Sequence, residues 1–218
     1  MSASEVNKVI DYWNRQADAF DSIYSGQKSG WARRLDKWLR KDMYQRLDWV
    51  LEHSGDVRGK SVCDLGCGSG RFVINYAKRG ARRVVGLDSA PTMIDKANAL
   101  VSEAGVKSAC ELRVENILEC RTDEVFDVTL AVGVFDYVRD GVPFLQRIRK
   151  ITGQRFLATF PRLWTHRMPI RKVRLTMLGC PVFFFTPKQI ESLMDRSGFE
   201  LKRLDQFGAI YGALAVPK

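Results

Sequence analysis

The stretch Val62-Cys63-Asp64-Leu65-Gly66-Cys67-Gly68-Ser69-Gly70-Arg71-Phe72 decides how the rest of the chain is read. An apolar run carrying one acidic residue leads into three glycines at alternate positions. Apolar residues at helical spacing follow (Phe72, Val73, Tyr76, Ala77), which predicts a strand, a tight turn and the start of a helix. Glycine lets the backbone take positive φ and lets a ligand approach the main chain closely. The helix N-terminus beyond the turn offers unpaired N–H groups to an anionic or polar ligand.

The glycines read G-x-G-x-G, whereas nicotinamide dinucleotide folds use G-x-G-x-x-G, so hydride transfer is disfavoured. A second landmark lies downstream. The short apolar strand Val84-Val85-Gly86-Leu87 ends in Asp88, about 20 residues past the glycines, where an acidic side chain can accept from ribose hydroxyls. Together, D-L-G-C-G-S-G and V-V-G-L-D-S resemble the class I S-adenosylmethionine-dependent methyltransferases.

Alternating strand and helix patterns support a doubly wound, mostly parallel Rossmann-like sheet with right-handed crossovers. Strands are expected at Ser61 to Leu65, Arg83 to Leu87, Cys110 to Val114, Phe126 to Val132 and Arg155 to Phe160. Helices are expected from about Gly70 to Arg79, from Pro91, from Pro143 to Ile151, and from Thr186-Pro187 to Ser197-Gly198. A closing antiparallel hairpin is expected at Phe199 to Leu204 and Ala209 to Val216. Residues 1–58 look helical and form an N-terminal extension, read as a lid. Residues 59–218 form the methyltransferase domain, with an acceptor-side insert at 161–185.

The resemblance implies a cofactor site for S-adenosylmethionine. Gly66, Cys67, Gly68 and Gly70 would pass their backbone against its methionine part, and Asp64 would orient the amino group directly or through water. Asp88 would hold the ribose, with Ser89 and Met93 beside the adenine. Asn116 and Ile117 stand where the family usually has an acidic and an apolar residue. Val132 and Gly133 would line the sulfonium. Asp136 and Tyr137 follow the fourth strand, where polar catalytic groups are placed in several such enzymes. Asp136 is either a base or a helix N-cap. His166 is a second base candidate or a surface residue. The layout also resembles magnesium-protoporphyrin O-methyltransferases, which carry a His-Tyr pair near this point. Asp136-Tyr137 stands here instead, so porphyrin chemistry does not carry over.

Lys and Arg number 35 against 25 Asp and Glu, a net charge of +10, which favours a polyanionic, phosphorylated or membrane-surface partner without choosing among them. Five scattered cysteines without a C-x-x-C pair read as reduced thiols of a cytoplasmic protein, with neither disulfide framework nor metal site. No apolar run is long enough to span a bilayer, although peripheral membrane contact is compatible with the charge. The basic-aromatic segments 31–46 and 162–175 are expected to face the acceptor. The expected acceptor is small or lipid-linked, anionic or amphiphilic, and methylated on oxygen or nitrogen. The rival readings are an RNA methyltransferase, disfavoured because V-F-D-Y stands where N-P-P-[YF] would, and a non-catalytic S-adenosylmethionine-binding subunit.

Overall fold

The computed structural model describes residues 7–15, 44–118, 123–163 and 182–218. Residues 7–15 (α1) and 44–53 (α2) are helical. The sheet and its helices follow as β1 (Ser61–Leu65), α3 (Arg71–Lys78), β2 (Arg83–Asp88), α4 (Pro91–Glu103), β3 (Cys110–Val114), β4 (Phe126–Ala131), α5 (Gly141–Ile151), β5 (Thr152–Pro161), α6 (Pro187–Arg196), β6 (Phe199–Phe207) and β7 (Ile210–Pro217). The strand order is β3-β2-β1-β4-β5-β7-β6. The first five strands pair in parallel, and β7 runs antiparallel to both its neighbours.

Side chains alternate across the sheet and build a core on each face. Cys63, Leu65, Val85, Leu87 and Phe156 pack with Phe144 and Leu145 of α5 and with Ile190 and Met194 of α6. Val62, Val84, Val128 and Leu157 point the other way and pack with Trp49 and Val50 of α2, Val73 and Tyr76 of α3, and Ile94 of α4. Asp64 lies between Cys63 and Leu65 in β1, on the side of α2, α3 and α4.

Several expected boundaries move for local reasons. Helix α5 starts at Gly141, two residues before Pro143, because the Asp140 carboxylate accepts from Val142 N at 3.3 Å. Asp140, not Asp136, is therefore the N-cap of that helix. Strand β5 begins at Thr152, immediately after α5. The Thr152 hydroxyl donates to Ile148 O and meets Thr129 Oγ1, both at 2.6 Å, which holds the junction without a loop. Helix α6 opens on the anticipated Thr186-Pro187, with a reciprocal capping box between Thr186 and Gln189.

The order of the strands creates the site. After β1 the chain crosses to β2 on one side, while β4 lies on the other side of β1. The loops at the carboxyl ends of β1 and β4 thus leave in opposite directions and open a crevice, the usual ligand position in doubly wound sheets. Helix α2 is fixed against the far edge. Trp49 donates from Nε1 to Asp205 Oδ2 at 2.8 Å and stacks on Phe207 at 5.8 Å, and this anchorage sets the α2 residues that reach the crevice.

Candidate active site

The crevice holds a cavity of about 330 Å³, a size suited to a small ligand. Its floor is the glycine turn. Gly66 and Cys67 both donate their N–H to Leu87 O, at 2.7 and 3.0 Å, which lashes the turn to the end of β2. Gly66 has φ 77°, and a Cβ there would lie 2.6 Å from Val134 Cγ2. Gly68 has φ 53°, and a Cβ would meet nothing within 4 Å among the described residues. That open face is where a ligand can rest on bare backbone. Gly70 lies between the lining residues Ser69 and Arg71, and a Cβ there would come 3.1 Å from Ala97 Cβ. Its absent side chain lets α3 pack on α4.

Asp88 stands at the end of β2 and lines the cavity. Its Oδ2 accepts from Gly68 N and its Oδ1 from Ala90 N, each at 2.9 Å. Burial pushes its carboxyl up while these backbone N–H groups pull it down. Asp88 therefore has a second task, holding the glycine turn, and keeps lone pairs for a further donor. Ser89, Met93, Asn116, Ile117, Val132 and Gly133 all line the same cavity, as does Cys67. Ser89 Oγ donates to Glu115 O at 3.1 Å, and Asn116 Oδ1 accepts from Leu118 N at 3.1 Å, so the β3 loop is tied to the start of α4. Burial, then the Asp64 carboxyl, pushes the Cys67 thiol well up, which leaves it neutral.

Asp64 does not line the cavity. It is 1% exposed beneath the turn, and its Oδ2 has no hydrogen-bond partner among the described residues. Desolvation first, and the Asp88 carboxyl second, push its pKa up to about 8. An orphaned buried acceptor is costly unless something satisfies it. A cationic group reaching down from the turn would do so.

The opposite wall is built from distant parts of the chain. Phe135 is fully buried, stacked on Phe160 at 4.3 Å and edge-on to Phe185 at 6.4 Å. The next residue, Asp136, is thereby fixed. It is 2% exposed, it lines the cavity, and its carbonyl accepts from Phe183 N at 2.8 Å. Tyr137 lines the cavity beside it. Gly133 has φ 80° and donates its N–H to Thr159 Oγ1 at 2.9 Å. The Arg46 guanidinium sits over it, with Nη1 2.8 Å from where a Cβ would stand. Arg46 Nε is buried without a partner among the described residues. Val9, Ile10 and Trp13 of α1 complete the wall.

Arg46 lies in the basic-aromatic segment expected to face the acceptor, whereas the sequence places Trp13 only within a helical N-terminal extension. Their meeting here depends on tertiary contacts that no local pattern announces. Arg162, grouped with the basic insert, instead donates to Gly208 O at 2.8 Å and lies over the Tyr211 ring at 5.6 Å. It belongs to the β6–β7 hairpin. His166, residues 31–43 and residues 164–175, with Arg167, Arg171 and Arg174, lie outside the described residues.

Residues 56–174 match the family described as Methyltransferase domain. The chain belongs to this methyltransferase family. Its fold is that of the class I enzymes, and its cofactor is S-adenosylmethionine. Among curated relatives, the chain is 30% identical over 216 residues to the ubiquinone biosynthesis O-methyltransferase of Neisseria meningitidis serogroup C, covering 89% of each. It is also 30% identical over 112 residues to the tRNA U34 carboxymethyltransferase of Shewanella baltica, covering 50% of this chain and 34% of that protein. Among solved structures, magnesium protoporphyrin IX methyltransferase from Synechocystis PCC 6803 with bound SAH superposes with a TM-score of 0.79 at 18% identity. That match covers 98% of this chain and 100% of the other. At that identity the match speaks for the fold. No helix of this methyltransferase, among the described residues, is long and apolar enough to cross a membrane.

Proposed function

We propose that this methyltransferase O-methylates a small, amphiphilic acceptor, aromatic or lipid-linked. The observation carrying this reading is Asp136, a carboxylate held 2% exposed in a largely apolar cavity beside the glycine turn. A hydroxyl must lose its proton as it is methylated, and a buried carboxylate within reach is the group to take it. The similarity to an O-methyltransferase of ubiquinone biosynthesis, over most of both chains, points the same way.

The cofactor's zwitterionic end fits the charges at the turn. Asp64 Oδ2 would receive the ammonium, and the Arg46 fork would take the carboxylate. Asp88 would accept from the ribose hydroxyls. Ser89, Met93, Asn116 and Ile117 would flank the adenine, with Val132 and Gly133 beside the sulfur. When bound, S-adenosylmethionine supplies a methyl group already activated on positive sulfur. The chain's residues then have three tasks: aligning the acceptor oxygen with that carbon, excluding water, and receiving one proton on Asp136. Helices α1 and α2 serve as part of the cover over this cavity, since both supply residues to its wall.

Asp88→Ala should weaken binding of the demethylated product, S-adenosylhomocysteine, by about 1.5–3 kcal/mol, the usual worth of hydrogen bonds to a charged group. Because Asp88 also holds Gly68 and Ala90, melting temperature should fall modestly as well. Calorimetry showing unchanged affinity would remove Asp88 from the ribose site.

The acceptor class is tested by incubating the enzyme with methyl-labelled S-adenosylmethionine and separate lipid, small-metabolite and tRNA fractions. Label is expected in prenylated or other apolar phenols, as base-stable methyl ethers. Label confined to tRNA would overturn this reading in favour of the RNA alternative. No label in any fraction would favour a non-catalytic subunit.

A further inference from the structure

We infer that Trp13 is a positioning residue that ties the cofactor wall of the cavity to the acceptor wall, so that ligand binding on one side is felt on the other. The inference rests on the proposed assignment of Met93 to the adenine side and Tyr137 to the acceptor side.

The indole touches both walls. It packs on Ala90 and Met93 at the start of α4, and it meets the Tyr137 ring edge-on at 6.0 Å with an interplanar angle of 85°. The neighbouring Asn14 fixes the approach, because Thr92 Oγ1 donates to its Oδ1 at 2.8 Å. Helix α1 is thus pinned at the cofactor end of the crevice while its ring reaches across to the loop bearing Asp136. Val9 and Ile10, one turn earlier, line the same cavity. Over its described residues, 7–15, α1 is held against the domain by these contacts. Adenine against Met93 would add apolar surface under the indole and strengthen that docking. Docked α1 then holds Tyr137 in place for the acceptor. Coupling of this kind is reciprocal, so a change at Tyr137 must be felt at the cofactor.

A double-mutant cycle on S-adenosylhomocysteine affinity, measured by calorimetry in the full chain, tests this without any acceptor. Trp13→Ala should weaken binding by up to about tenfold, in the range of a lost aromatic pair with its burial. Tyr137→Ala, on the far side of the cavity, should weaken it several-fold. The double variant should be no weaker than Trp13→Ala alone, the non-additivity expected of coupled residues. Trp13→Phe, which keeps an aromatic edge, should restore most of the affinity. Melting temperatures should stay near wild type, since Trp13 stands outside the two cores of the sheet. Unchanged affinity in Trp13→Ala, additive effects, or no rescue by phenylalanine would each overturn the proposal. Because the readout uses the product alone, these failures are separate from a failure to methylate phenolic acceptors.

Discussion

Asp136→Asn should lower kcat for a hydroxyl acceptor by about 10²–10⁴, the usual contribution of a positioned general base. Affinity for S-adenosylhomocysteine should be retained. Asparagine has nearly the same shape but cannot take up a proton. The main-chain bond from Phe183 N goes to the Asp136 carbonyl and survives the change. Helix α5 keeps its cap, which is Asp140. The loop is also pinned by Phe135 against Phe160, so melting temperature should move little. The loss should shrink as pH rises towards a phenolic acceptor's own pKa near 10, because an ionised acceptor no longer needs a base. A kcat equal to wild type across that range would remove Asp136 from the chemistry. A fall in activity that simply tracked a fall in folded protein would make it a structural residue.

The parts of the fold legible in sequence are those whose physics is local. G-x-G-x-G can be recognised because positive φ and an open Gly68 are demands on single residues, and Asp88 follows at a fixed distance set by one βαβ unit. The bounds of β1 and β3 agree with the sequence reading, since turn residues flank a short, mostly apolar run in β1 and an alternation of apolar and charged residues in β3. The start of β5 was missed because Thr152-Gly153-Gln154 has turn composition, while its strand pairing comes from Phe126 on β4. Asp136 and Asp140 both precede α5, and only the structure separates the capping carboxylate from the one in the cavity. Gly70 takes positive φ, and its missing side chain leaves room for Ala97. The cavity residues that follow β2, β3 and β4, from Asp88 to Tyr137, are thus readable from local pattern. The contribution of α1 and the place of Arg46 over Gly133 are not, because they depend on tertiary contacts across the chain.

Affinity for S-adenosylhomocysteine should depend on pH, levelling off above about pH 8 and approaching a tenfold loss per unit on the acid side. The cause is Asp64, whose carboxyl is pushed from 3.8 up to about 8, first by burial and then by Asp88. Below that value the free enzyme holds Asp64 protonated, and pairing it with an ammonium requires one proton to leave. Well above it, the ligand's own amino group loses its charge, so the pair weakens again. The same residue acts with the opposite tendency on the ligand-free fold. Its pKa is raised by folding, so between about 4 and 8 the native state holds a proton that the unfolded chain has lost. Its contribution to stability is therefore complete below the unfolded value and is lost as pH rises towards about 8. Asp88, shifted in the same direction by burial, adds to that trend. The melting temperature of the free enzyme should accordingly fall between pH 5 and 8, while the stabilisation by S-adenosylhomocysteine grows over the same interval. Asp64→Asn removes the ionising group, so both the acid-side slope in affinity and part of the fall in melting temperature should disappear, with weaker binding at pH 8. Calorimetry at several pH values in buffers of different ionisation enthalpy would count the released proton directly. A flat affinity between pH 6 and 8 in the wild type, or an acid-side slope that persisted in Asp64→Asn, would show that Asp64 does not meet the ammonium.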